Sequence, residues 1–479
     1  MTIECKQKKT PYMEFFILEK EMKLFTLEYK NVKYWQLVRF GLLKKITTKD
    51  LRVVNSNAGR SKRKEVIGAY KASHVAQKML HNVSHADIIR IRPCVTVNNE
   101  GKLADHQYDY VDFAGEEKIL DLYALGNYTM HQDCVEYDMS PAEKTLINWK
   151  ILKKLYTGKQ LEKRQIAVLS EFLKQVNKIY GTEFEIGALI HNIYYLVNSH
   201  IIYKAYYAEV FRQLTPKIVM EYPHYDEHMF SATAAARQLG IATVEIQHGR
   251  INSHEAYWYE DQEKMGKLLP DYFFVYGDWW KQQINLPEFC KVVAIGNPYL
   301  EAQIKMFPKK QHWGKVLAVF SNPQNGKVLS EFIYELEDYF KTNGIKILYK
   351  LHPNERAVWK TEYPCLAKLS NATVIDDSTS VYEVLSDADV AIGINSTVFF
   401  EALAYKNIKL LIYAVGDYEG MKPLINSGAA KALTTTEELK KEIEILESTS
   451  EENINGAQFW KECAAENLKK EISYIIKRS

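Results

Sequence analysis

The 479-residue sequence predicts an α/β protein of two doubly wound, Rossmann-like domains facing one another across a cleft. Three observations carry that prediction. Short apolar runs alternate with helical patterns between about residues 215 and 413, as βαβ units around a parallel sheet do. The alternation comes in two series, divided by Pro308 and the polar stretch 309–314. Several of the apolar runs end in polar loops bearing histidine or glycine, and open α/β sheets bind ligands at such strand ends.

The elements follow in order. Residues 1–308 read as the first domain, with a helical insertion. Its opening is basic and aromatic: Lys6, Lys8, Lys9, Lys20, Lys23, Lys30, Lys33, Tyr34, Trp35, Arg39, Lys44, Lys45 and Lys49. A cationic loop, Gly59-Arg60-Ser61-Lys62-Arg63-Lys64, comes next. Both read as a solvated start to the domain, or as a surface meeting anionic lipid or a lipid-linked acceptor. Residues 86–92 alternate as a strand does, and 98–102 form a turn. Residues 140–213 are mainly helical, broken at Gly181-Thr182. Strand 217–220, helix 229–239 capped by Gly240, and strands 241–246, 271–276 and 292–295 complete the domain.

Residues 309–457 read as the second domain. Strands are expected at 315–320, 345–351, 372–375, 390–394 and 408–413, and helices at 328–342, 380–385 and 397–405. The segment 458–479 reads as an amphipathic helix that crosses back to the first domain.

Composition narrows the function. Hydrophobic residues at 47% and charged residues at 25% suit a globular enzyme. A net charge of +2 argues against a dedicated nucleic-acid binder, and the 32 tyrosines are scattered rather than set in a stacking motif. Six cysteines (Cys5, Cys94, Cys134, Cys290, Cys365 and Cys463) are far apart with no CxxC pair, so reduced, cytoplasmic thiols are expected rather than disulfides or zinc. The apolar run 13–18 is cut short by Glu19-Lys20-Glu21, so no signal peptide is read. No run reaches the ~20 apolar residues of a membrane helix. The expectation is a cytoplasmic protein that meets the inner face of the membrane peripherally at most.

The chemistry concentrates at strand ends. Lys350-Leu351-His352-Pro353-Asn354-Glu355 leaves one strand of the second domain, and Gly393-Ile394-Asn395-Ser396-Thr397 leaves another. Pro353 holds His352 extended, so its ring can donate to a phosphate oxygen or protonate a leaving group. Asn395, Ser396 and Thr397 open a helix whose unpaired N–H groups attract phosphate, and Glu401 lies where a carboxylate can accept from ribose hydroxyls. In the first domain, Gln247-His248-Gly249 ends a strand, with His254 six residues on. His248 suits the role of general base for an acceptor hydroxyl. The loop 221–228 offers Glu221 and Asp226 for the same role, and the sequence does not choose among the three. Asp387-Ala388-Asp389 mimics a metal-binding DxD but sits at a strand entrance, where it terminates a helix. GxGxxG and GxxxxGK[ST] are both absent, which removes the usual anchors of dehydrogenases and P-loop ATPases.

Taken together, these motifs resemble the GT-B glycosyltransferases of bacterial surface-polysaccharide (capsule and lipopolysaccharide) synthesis. Lys350-Leu351-His352-Pro353 is similar to the HP motif of sialyltransferases, Kdo transferases and teichoic-acid glycerophosphotransferases, and Ser396-Thr397 to their Ser-Ser/Thr motif. Gln247-His248-Gly249, the segment Asp271-Tyr272-Phe273-Phe274-Val275-Tyr276-Gly277 and Gly296-Asn297-Pro298 are similar to segments of capsule and teichoic-acid transferases. The resemblance spans roughly residues 215–430 and implies that both motifs hold the phosphate of a CMP-sugar or CDP-alcohol. It lacks the Asp/Glu-Asp/Glu-Gly motif from which sialyltransferases take their base. The implied activity is metal-independent, inverting transfer of a sugar, with a CMP-sugar favoured, to a hydroxyl of a glycan or lipid-linked acceptor, without cofactor. Two alternatives share the architecture: a CDP-glycerol or CDP-ribitol phosphotransferase, and a non-catalytic sugar-nucleotide-binding protein.

Overall fold

The computed structural model describes residues 12–48, 84–92, 96–97, 103–105, 107–111, 117–123, 136–138, 160–251, 256–310, 315–405, 407–448 and 456–479. The cationic loop 59–64, the turn 98–102, the stretch 140–159, residues 311–314 and His254 lie outside them.

Two all-parallel sheets organise the chain. The first contains β1 (Ile88–Arg92), β2 (Ile119–Tyr123), β3 (Glu136–Asp138), β4 (Ile218–Glu221), β5 (Ala242–Ile246), β6 (Tyr272–Val275) and β7 (Lys291–Ala294), in the spatial order β7-β6-β5-β4-β1-β2-β3. The second contains β8 (Val316–Phe320), β9 (Lys346–Lys350), β10 (Ala372–Ile375), β11 (Val390–Gly393), β12 (Lys409–Tyr413) and β13 (Lys431–Leu433), in the order β10-β9-β8-β11-β12-β13. In each sheet the order reverses beside the first strand, the crevice where doubly wound folds bind ligands.

Both faces of each sheet are covered, as parallel strands require. On the first sheet, Tyr203, Tyr207, Val210 and Phe211 of the long helix α4 (Ile186–Leu214) pack on Ile89, Ile91 and Val219. The opposite face, Ile88, Met220, Val244 and Phe274, is closed by Leu468, Ile472 and Ile475 of the last helix, Ala464–Ile476. The chain thus returns from the second domain to the first. Helices α1 (Met13–Glu21), α2 (Trp35–Thr48) and α3 (Lys163–Tyr180) form a second core with the start of α4. Tyr34, Trp35 and Arg39 of the basic opening are buried there, with Arg39 paired to Glu19 at 2.8 Å, so these three offer nothing to lipid. No described helix is long and apolar enough to cross a membrane.

Several elements differ from expectation. The helix read at 328–342 breaks into Gly326–Tyr334 and Glu337–Thr342. The helix after Thr397 covers only Val398–Ala402. Residues 456–463, of which 458–463 were expected to be helical, form a non-helical strap pinned to the first domain. A Cβ on Gly277 would lie 2.4 Å from the Phe459 carbonyl, and one on Gly296 (φ 95°) 2.3 Å from that of Lys461, so these glycines admit the strap's backbone. Trp280 Nε1 donates to the Phe459 carbonyl at 2.9 Å, and Trp460 Nε1 to that of Phe400 at 2.6 Å. Strands β2, β3 and β13 and the helix Thr436–Ser448 were not foreseen.

Candidate active site

The crevice of the second sheet lies outside β8, between β9 and β11, and the two motifs of the sequence leave those flanking strands. With neighbouring strands ~4.8 Å apart, the motif-bearing strands are separated by roughly 10 Å. The loop after β8 ties them together. Ser321 Oγ donates to Glu355 Oε1 at 2.8 Å on one side, and Asn322 Nδ2 donates to the Asn395 carbonyl at 2.8 Å on the other.

Glu355 is the buried hub of this arrangement. Its Oε1 also accepts from the Tyr363 hydroxyl at 2.7 Å, and its Oε2 from the His352 backbone N–H at 2.7 Å. The carboxylate thereby fixes the turn Pro353–Glu355 and the exposed imidazole before it. His352 Nδ1 accepts from the Asn354 N–H at 3.2 Å. In the neutral ring that contact assigns the proton to Nε2, which leaves an N–H donor on an exposed ring. Pro353 is exposed at the first position of the turn. Lys350, by contrast, is buried, donates to the Asp377 carbonyl at 3.2 Å, and has its pKa lowered by that burial.

On the other flank, Asn395 and Ser396 are half-buried and Thr397 is exposed. Ser396 Oγ accepts from the Val398 N–H at 3.4 Å, a weak cap. Glu401 lies on the helix that this loop opens, Val398–Ala402. Burial pushes its pKa up while a hydrogen bond from Tyr382 opposes the shift, and its charge is felt by Tyr276 and Tyr299 of the first domain as well as Tyr405.

Across the crevice, Gln247 builds the turn that carries His248. Its Oε1 accepts from the Tyr276 N–H at 2.9 Å, and its Nε2 donates to the Gly249 carbonyl at 2.8 Å. The His248 ring is open to solvent, yet protein surrounds it on its other sides. That enclosure lowers its pKa below the ordinary histidine value, against the pull of Glu245. His248 Nε2 lies 3.1 Å from the Tyr225 hydroxyl. Behind it, Glu245 is fully buried with His224 Nδ1 at 2.7 Å and the Tyr257 hydroxyl donating at 3.1 Å.

The two carboxylates weighed beside His248 are placed differently. Glu221 is fully buried, with the Thr233 hydroxyl 2.7 and 2.8 Å from its oxygens, and burial raises its pKa well above the usual carboxylate range. A cleft ligand cannot reach it. Asp226 caps the helix Glu227–Gln238 by accepting from the His228 N–H at 2.8 Å. Asp389 accepts from the Val316 N–H at 3.0 Å and Asp387 pairs with Lys310 at 2.5 Å, so the DxD segment fastens the interdomain linker. Ser321, Asn322, Glu355, Tyr225 and Glu245 were missed in the sequence, although Glu355 lay within the motif itself. A separate cavity of about 670 Å³, lined by Leu300, Ile304, Leu403 and Trp460 among others, abuts the strap and contains none of the candidate residues.

No protein-family model and no curated protein matches the chain. Among solved structures, the UDP-GlcNAc 2-epimerase of Methanocaldococcus jannaschii aligns over 81% of this chain and 99% of its own, at 12% identity and a TM-score of 0.50. MurG of Acinetobacter baumannii aligns over 59% of this chain and 78% of its own at 13% identity (TM-score 0.39). The wall teichoic acid polymerase TagF aligns over 87% and 97% at 10% identity (TM-score 0.41). At such identities the likeness concerns fold. The sheet order and the epimerase alignment together establish the GT-B architecture: two Rossmann-like domains facing a cleft.

Proposed function

We propose that this protein is a nucleotide-sugar-dependent glycosyltransferase that inverts at the anomeric carbon without a metal. The observation that carries the reading is the tie across β8: Glu355 and Asn322 set the His352 donor and the Ser396-Thr397 loop on either side of one crevice, with His248 on the facing domain. The donor's phosphate rests between His352 and residues 395–397. The sequence resemblance favours a CMP-sugar, and the acceptor is a surface-glycan or lipid-linked hydroxyl entering from the first domain.

His248, kept neutral near pH 7 by its lowered pKa, removes the acceptor proton. The acceptor oxygen forms a bond to the anomeric carbon as the carbon–oxygen bond to phosphate breaks. The leaving charge is met by the His352 Nε2–H and by backbone N–H groups at 396–397, as preorganised donors that need no reorientation during the step. Gln247 and Gly249 shape the turn under His248.

A thermal-unfolding screen against CMP, CDP, UDP and GDP tests the reading. A nucleotide at 100 times its dissociation constant stabilises the protein by about 2.7 kcal/mol. His352→Ala is expected to weaken that nucleotide about tenfold, the loss of one hydrogen bond to a charged group. If none of the four shifts the transition, or His352→Ala and His248→Ala both support transfer at the wild-type rate, the proposal fails.

A further inference from the structure

We propose that Arg250, supplied by the first domain, is the cation that takes a phosphate group of the nucleotide bound on the second. This rests on the nucleotide-sugar reading and adds to it a charge-bearing residue that none of the motifs includes.

Arg250 follows Gly249 and reaches across the cleft, where its Nη1 donates to the Gly420 carbonyl at 3.0 Å. A carbonyl does not neutralise a guanidinium. Its Nε is buried and has no acceptor among the described residues. The other enclosed arginines of the first domain each hold a carboxylate: Arg39 with Glu19, Arg90 and Arg92 with Asp121, and Arg237 with Asp271. Arg250 has no ion pair among the described residues, and Asp417 acts on it only through space. Burial lowers its pKa, as expected of a charge enclosed without a counter-ion. The Nε atoms of Arg92, Arg237 and Arg356 also have no acceptor among the described residues, but Arg92 and Arg237 hold carboxylates and the charge of Arg356 is felt by Lys350 and Asp377, on the far flank of the crevice.

The second domain accommodates this side chain. A Cβ on Gly420 would lie 2.2 Å from Arg250 Nη1 and 2.9 Å from Cζ, so the guanidinium occupies the place of a side chain there. Gly420 belongs to the loop after β12, which is paired with β11, the strand leading to Ser396-Thr397. Arg250 therefore approaches the phosphate loop from the opposite domain. That loop is short of positive charge, because the helix it opens has only five residues. A guanidinium edge offering two parallel N–H groups matches two oxygens of a phosphate. Because the cation and the phosphate loop belong to different domains, the bound donor would be held by both.

The test compares the affinity gained by adding phosphate to a nucleoside. Calorimetric titration of the full chain with cytidine, CMP and CDP, and with uridine, UMP and UDP, gives that increment for wild type, Arg250→Ala, Arg250→Gln and Arg250→Lys. Arg250→Ala and Arg250→Gln are expected to shrink it by about 10- to 100-fold, the range for a lost charge-assisted hydrogen bond, with Arg250→Lys between and nucleoside affinity unchanged. The ligand-free unfolding temperature identifies any variant that has lost the fold. An undiminished increment in the folded variants overturns the role of Arg250 and leaves the donor reading standing. If wild type binds no phosphorylated nucleotide, the donor reading falls, and the proposal with it.

Discussion

At the scale of the residue, the proposed site spends one atom of a side chain on structure and leaves another for chemistry. His352 gives Nδ1 to a backbone N–H, and this turns Nε2–H outward. Glu355 gives both oxygens to its neighbours, so in the proposed site it acts by positioning them. Replacing Glu355 by Ala leaves Ser321, Tyr363 and the His352 N–H without their acceptor. The expected result is a loss of about 1–3 kcal/mol in urea unfolding together with weaker nucleotide binding; a variant that binds as wild type does would remove Glu355 from the site. His248 yields a pH prediction. Its enclosure favours the neutral ring, so the proton is lost at a lower pH than from a free imidazole. The acid limb of kcat/KM should therefore lie below ~6.5, with activity flat above it and falling as pH drops through the limb. A limb above 6.5, or one that persists in His248→Gln, would count against this residue as the base.

Elements decide which side chains meet. The three loops that build the proposed donor crevice leave β8, β9 and β11, which are neighbours in the sheet although their ends are spread over some seventy residues of chain. The strap 456–463 is a second case. Residues 458–463 read as helix, but Phe459 buries its ring, and Trp460 packs half-buried, among Trp279, Trp280 and Phe400, and the backbone leaves the helical path. Gly277→Ala places a methyl group 2.4 Å from a backbone oxygen that cannot rotate away. The expected cost is about 1–3 kcal/mol, as for other overpacked sites, with tryptophan emission shifted to the red and earlier cleavage of the strap by protease. Unchanged stability and emission would show that the strap yields freely.

For the whole molecule, the two domains are not independent beads on a linker. One hydrophobic cluster runs from Tyr257 and Phe273 of the first domain to Phe320, Phe399 and Leu424 of the second, and the last helix completes the first domain's core. Leu468, Ile472 and Ile475 are almost fully buried, and at ~1.5–3 kcal/mol for each side chain their removal takes away an amount comparable to a domain's net stability. A chain ending at residue 455 is therefore expected to be insoluble or to lack a cooperative thermal transition. A soluble truncated protein melting near the wild-type temperature would mean that the last helix is only an attachment.

The amino-acid order alone determined the class of fold, ten strands within a residue or two of their ends, and the two motifs that flank the crevice of the second sheet. Those features rest on local pattern: an apolar run of four to six residues, a proline after a histidine, a serine before a helix. Strands β2, β3 and β13 escaped because they are short or mixed in polarity, with Asp121 and Lys431 inside them, and only pairing with a neighbouring strand makes them strands. Which residues face the cleft was decided by tertiary structure. Glu221 and His248 look alike in sequence, each ionisable and each at a strand end, yet one is sealed beneath a helix while the other stands open to solvent. Burial depends on what packs above a side chain: a helix closes over Glu221, whereas the ring of His248 is enclosed on some sides and keeps one open to solvent.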